Sequence, residues 1–200
     1  MRLQIRLSWF RPALLIALSA LFSGCIHLAP MPYAGQRDEA RVLGKIFKTL
    51  TPQAQEMVVS EHKVARELRI TLAELGKLSQ PDFTDQFNSY REELVALQGK
   101  RRQLQQALGS RQWDSPMVRA VQQGAVKQLM QDGDRNQKWI ELADGVRLRV
   151  KLGRDKDFPE LTMLSHQLDV FLSARNNLDP FADRLQALKE AFGLSEADFD

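Results

Sequence analysis

Apolar residues recur along the middle of this chain at alternating steps of four and three. Between 81 and 109 the series is Phe83, Phe87, Tyr90, Leu94, Leu97, Arg101, Leu104 and Leu108. Between 52 and 79 it is Met57, Glu61, Val64, Leu68, Thr71, Leu75 and Leu78. This is the heptad spacing of a coiled-coil seam. Only Ser79-Gln80-Pro81-Asp82 separates the two series, so the helices are predicted to fold back antiparallel. Residues at equal height then have numbers that sum to 161 or 162, from Leu78 with Phe83 to Met57 with Leu104. The polar members of the two seams meet under this register. Glu61 is expected to form a partly buried ion pair with Arg101, and Thr71 to lie level with Tyr90.

Proline marks further boundaries. Thr51-Pro52, Ser115-Pro116 and Asp179-Pro180 each set a capping residue before a proline at a first helical position, and Pro81 and Pro159 have weaker caps. Asp157 and Glu160 fit a capping pair. The predicted helices are 37–50, 52–79, 81–109, 116–131, 159–176 and 180–192. From Gly145 to Gly153 the chain instead alternates apolar and basic residues, the two-residue period of a half-buried strand. With Lys138 to Leu142 before the turn Ala143-Asp144-Gly145, it predicts a small β-hairpin near 137–152. The rival is one long helix from Pro116 to Leu152. The fold class is therefore mainly α: an antiparallel helical hairpin or coiled-coil bundle with a β-hairpin at its side.

The first residues follow a different logic. Arg2, Arg6 and Arg11 precede an apolar run from Pro12 to Phe22, and Ser23-Gly24-Cys25 follows. A basic start, a short apolar segment and small residues at a cut site make a secretory signal. The run is shorter than the ~20 residues of a membrane span. Phe22-Ser23-Gly24-Cys25 resembles the lipobox of bacterial lipoproteins, with Phe22 where the family usually has Leu. The resemblance implies removal of 1–24 and acylation of Cys25. It implies a membrane anchor without a span, since two or more acyl chains hold a protein stably. Ile26 stands where inner-membrane lipoproteins tend to have Asp, so the likeness favours the outer membrane, facing the periplasm. Residues 25–36, with Pro30, Pro32 and Gly35, read as a lipidated tether, 37–195 as a single helical domain and 196–200 as an acidic tail.

The leader also changes the charge. The full chain carries 28 basic and 25 acidic residues, and the three arginines before Cys25 account for the whole excess. The remainder is formally neutral, so net charge gives no support to a nucleic-acid partner. Cys25 is the only cysteine, so no disulfide holds the domain.

Little in the sequence points to catalysis. His27, His62 and His166 have no second histidine or cysteine at ligand spacing. There is no phosphate-binding glycine loop and no nucleophile elbow. Asp132-Gly133-Asp134-Arg135-Asn136 begins like a calcium loop, but Gln137 and Ala143 stand where glycine and glutamate are needed. It reads as a polar turn ending the preceding helix. Arg147, Arg149, Lys151 and Arg154 would line one face of the strand, a candidate docking face for an acidic partner or lipid phosphates that the tail could neutralise. No enzyme, cofactor or metal is expected. The expected role is a lipid-anchored envelope protein that docks a protein partner at the outer membrane. The alternative is a carrier of a lipid or other small apolar ligand, which needs a cavity between helices.

Overall fold

The computed structural model describes residues 34–152, 158–174 and 179–200. Helix α1 spans Ala34–Ala73, α2 Gln80–Gly109, α3 Pro116–Lys151, α4 Pro159–Ser173 and α5 Ala182–Phe192, and a short 3-10 turn covers Glu196–Phe199. The leader, Cys25, His27, most of the tether, Asp157 and Arg154 lie outside the described residues. The helix α1 takes in Ala34–Gln36, three residues assigned to the tether.

The α1–α2 hairpin forms as its seams dictate as far as Ala73, where α1 ends; Leu75 and Leu78, expected in the helix, lie in the turn after it. Met57, Glu61, Val64, Leu68 and Thr71 of α1 are buried, as are Phe83, Phe87, Leu94, Leu97, Arg101, Leu104 and Leu108 of α2. Ser79 starts α2, its hydroxyl accepting from the Asp82 N–H, and Pro81 sits in the first turn, where its missing N–H costs nothing. The Thr71 and Tyr90 hydroxyls are 2.9 Å apart. Helix α3 then runs antiparallel to α2: Gln98 reaches Gln137, Arg91 reaches Asp144 and Arg147 reaches Asn88.

Helices α4 and α5 together make a fourth column against α1 and α3. Helix α4 is antiparallel to α3, with Phe171 on Trp139 and Glu160 beside Arg149. Helix α5 is antiparallel to α1, with Phe181 stacked on Phe47 and Arg37 donating to the Gly193 carbonyl. The result is an up-down-up-down four-helix bundle whose fourth column is split between two short helices.

Two expectations about the helices are corrected first. The first is the stop and restart at Thr51-Pro52, because α1 runs through Pro52 without a break. Buried Ala40, Leu43, Phe47, Ala54 and Met57 keep one helical stripe in phase across the proline, and the Thr51 hydroxyl donates to the Phe47 carbonyl. Packing of the stripe outweighs the lost backbone bond. The second is the β-hairpin at 137–152, where the chain is helical to Lys151. The buried residues Trp139, Ile140, Ala143 and Val146 follow helical spacing, whereas Leu148 and Leu152 of the supposed strand face are 58% and 57% exposed. Gly145 is no turn residue either. A Cβ there would lie 3.1 Å from Glu160 Cγ, so the glycine lets α4 approach α3.

The acidic tail packs on α1 instead of neutralising 147–151. Asp198 pairs with Arg41, Asp200 with Lys48 and Glu196 with Lys48 and Lys189. Phe199 is 2% exposed and lies over Gly44, where a Cβ would be 2.3 Å from its ring.

Phe199→Ala is expected to cost about 3 kcal/mol as a buried ring is lost. Gly44→Ala destabilises the native chain, but in the Phe199→Ala background it stabilises by up to about 1 kcal/mol, since alanine is the better helix former. Denaturant midpoints of the four proteins check this, and additive effects would disprove the contact. A second prediction concerns pH. The Asp198 carboxylate accepts from the Ser195 backbone N–H and hydroxyl and from Arg41, which hold its pKa down to about 2. Its folded pKa lies below its unfolded one, so its contribution is complete above the ordinary value of about 3.9 and is lost as pH falls toward 2. The amide signals of 196–200 should shift in that window, and Asp198→Asn should remove the transition.

Candidate functional site

The polar members of the seams meet inside the bundle. Glu61 and Arg101 are 2% and 1% exposed, and Arg101 Nη2 donates to Glu61 Oε2 at 3.0 Å. The expected pair is therefore present and fully buried. It has a partner on α3. Arg135 Nη2 donates to Glu61 Oε1 at 2.7 Å, and Arg135 Nη1 to Asp132 at 2.7 Å. Asn136 is completely buried. With its amide nitrogen toward Glu61 and its oxygen toward Arg101, it donates at 2.6 Å and accepts at 2.8 Å. One carboxylate thus meets two guanidiniums and an amide, and a second carboxylate balances the second guanidinium.

Aromatic rings close this network on the α4 side. The Arg135 guanidinium lies 4.7 Å from the Phe171 ring centre and 5.6 Å from that of Trp139, close enough for cation–π attraction. His62 packs on Phe171 at 4.5 Å. Burial holds the His62 imidazole below its ordinary pKa, against the pull of Glu61. For Arg135 burial acts to lower the pKa, but the charges of Glu61 and Asp132 outweigh it and raise it.

Beside the rings a groove of about 650 Å³ opens between α3 and α4. Helix α3 lines it with Gln131, Asp134, Arg135, Lys138 and Trp139, and α4 with His166, Gln167, Val170, Phe171 and Ala174. Trp139 Nε1 and Arg135 Nε are buried N–H donors without an acceptor. Lys138 and Val170 are exposed on its rim.

The candidate docking residues fall otherwise. Arg147 pairs with Asp144 and donates to Asn88, toward α2. Arg149 pairs with Glu160, toward α4. Lys151 and exposed Leu148 border a second groove with Arg147, Pro81, Thr84 and Asp85. The strand face becomes two sides of a helix, so Arg147 and Lys151 stay together and Arg149 does not. The stretch Asp132 to Asn136 is not the expected turn but the middle of α3, where Asp132, Arg135 and Asn136 belong to the network. Among the described residues no cluster of three or more His, Cys, Asp or Glu could hold a metal ion, and no helix is long and apolar enough to cross a membrane.

Sequence reasoning found Glu61 and Arg101 and missed Arg135, Asn136 and the Trp139–Phe171 wall. A signal was there. Val118, Gln122, Ala125, Leu129, Asp132, Asn136, Trp139, Ala143, Val146 and Val150 also alternate steps of four and three, a third seam with polar members at the height of the network. Comparison with protein-family models, curated proteins and solved structures finds no match for this chain.

Removing one member of a buried ion pair costs about 3–5 kcal/mol by stranding the other. Glu61→Ala strands Arg101 and leaves Arg135 with Asp132 alone, whereas Arg101→Ala leaves Glu61 with Arg135 and Asn136. Glu61→Ala is therefore expected to destabilise more, and the double variant to cost much less than the two single losses together. Chemical denaturation checks both, and equal, additive losses would refute the network.

Proposed function

We propose that this protein is a non-enzymatic bacterial lipoprotein, anchored through acylated Cys25 to the outer membrane and facing the periplasm, where it docks a protein partner of the cell envelope. The observation that carries the reading is Phe22-Ser23-Gly24-Cys25 at the end of a basic-then-apolar leader. The helical bundle supports it indirectly, as a rigid body able to present a surface away from a membrane. At 1.5 Å per residue the 40 residues of α1 extend for about 60 Å. The docking surface is the groove at the end of α3, where exposed Leu148 stands beside Arg147 and Lys151. Apolar contact with flanking cations suits a segment that carries both apolar and acidic side chains.

Metabolic labelling with a tagged fatty acid tests the anchor. The wild type should be labelled and Cys25→Ser should not, and Cys25→Ser should accumulate unprocessed or leave the outer-membrane fraction on a density gradient. Equal labelling of both would refute the anchor. Recovery of the wild type in the inner membrane would refute the sorting alone. For docking, in-cell crosslinking from position 148 should yield an envelope-protein adduct that Arg147→Glu/Lys151→Glu abolishes, and an unchanged adduct would refute that surface.

A further inference from the structure

The end of the bundle where α1 begins carries a polar cleft. Glu39 of α1 accepts from the backbone N–H groups of Asp114 and Ser115, which sets the α2–α3 loop level with the second turn of α1. A cleft of about 460 Å³ opens at this loop, and its lining includes the exposed residues Arg111, Gln112, Asp114, Arg119 and Gln123. Neither arginine has a carboxylate partner among the described residues. Arg111 lies over the Trp113 ring at 4.8 Å. Arg119 donates through Nε and Nη2 to the Trp113 carbonyl at 3.2 and 2.7 Å, contacts that hold its guanidinium in place and leave Nη1 unused. Asp114 offsets one of the two positive charges. Pro116 and Met117 are exposed at the same end, Met117 to 53%.

From these features we infer that this end of the bundle rests on the membrane and that the cleft takes the phosphate of an anionic phospholipid headgroup. The inference rests on the lipid-anchor reading, which brings the membrane to the site. Ala34 is nine residues after Cys25, at most about 32 Å of extended chain, so a bilayer that holds Cys25 is within reach. Arg111 and Arg119 bind phosphate oxygens through charge-assisted hydrogen bonds, for which guanidinium geometry is suited. Gln112 and Gln123 supply amide donors, and Pro116 and Met117 enter the interfacial layer. The docking surface at the far end of α3 then faces away from the membrane, about 50 Å along a helix of 36 residues.

The test uses the full-length protein on vesicles of phosphatidylcholine alone, or of equal parts phosphatidylcholine and phosphatidylglycerol. Phenylglyoxal modifies accessible guanidiniums, and peptide mass spectrometry reads each arginine. On the mixed vesicles modification of Arg111 and Arg119 should slow about five-fold, the effect of roughly 1 kcal/mol per cation near an anionic surface. Arg66 and Arg91 are exposed and lie roughly 27 Å or more along the helices from this end, beyond the screening length of about 8 Å. They should react equally on both vesicles. Arg111→Gln should weaken the protection of Arg119, and Asp114→Asn should strengthen it. The mass of the Cys25 peptide separates the two readings. Unchanged rates at Arg111 and Arg119 with Cys25 acylated would overturn the cleft and leave the anchor, whereas slowing with Cys25 bare would support the cleft and refute the anchor. Equal slowing at Arg66 and Arg91 would also overturn the inference. Inorganic phosphate on phosphatidylcholine vesicles that protects as well as phosphatidylglycerol would overturn the lipid assignment in favour of a free anion.

Discussion

The carboxylate of Glu61 lies where water does not reach it, so its charge has to be met by protein groups. They come from two other helices, Arg101 on α2 and Arg135 and Asn136 on α3. A buried ion pair seldom adds net stability over an apolar replacement, and its better-attested use is to fix register. Here one side chain fixes two registers at once. Sliding α2 or α3 by a turn would keep leucine against leucine but leave a charge without a counter-charge. The apolar seams make the helices associate, and the polar layer determines at which height.

That layer sits where the fourth column is divided. Helix α4 covers the bundle up to Ser173 and α5 resumes at Ala182, so Arg135 reaches the end of α4 and meets the ring of Phe171. Arg135, whose side chain is 32% exposed, is the member of the network that reaches the groove between α3 and α4. The same cluster that orders the core therefore also shapes the most chemically distinctive part of the surface.

The hairpin register was legible because two heptad series and one short link allow few arrangements, and Glu61 meets Arg101 as the numbering requires. The continuity of α3 was not. Gly133, Gly145 and the alternation from Val146 to Leu152 imitate turns and a strand, and only packing against α2 and α4 reveals why helix wins. Gly145 is a close approach, and Leu148 is an outward residue on a helix. Pro52 misled for the same reason, since its local cost is small beside a stripe running from Ala40 to Met57. Arg135 and Asn136 went unread because a polar run in a seam resembles a loop until a buried carboxylate explains it.

The last turn of the chain has a mechanical meaning. Phe199 seats on Gly44, and Arg41 and Lys48 hold Asp198 and Asp200, so the end of the chain is fastened across the first turns of α1. Helix α5 and this turn run against α1. A pull applied along α1 is therefore resisted by several contacts in shear at once, rather than by one contact after another as in unzipping. The end of the bundle where α1 begins is thus held by ring packing and ion pairs together.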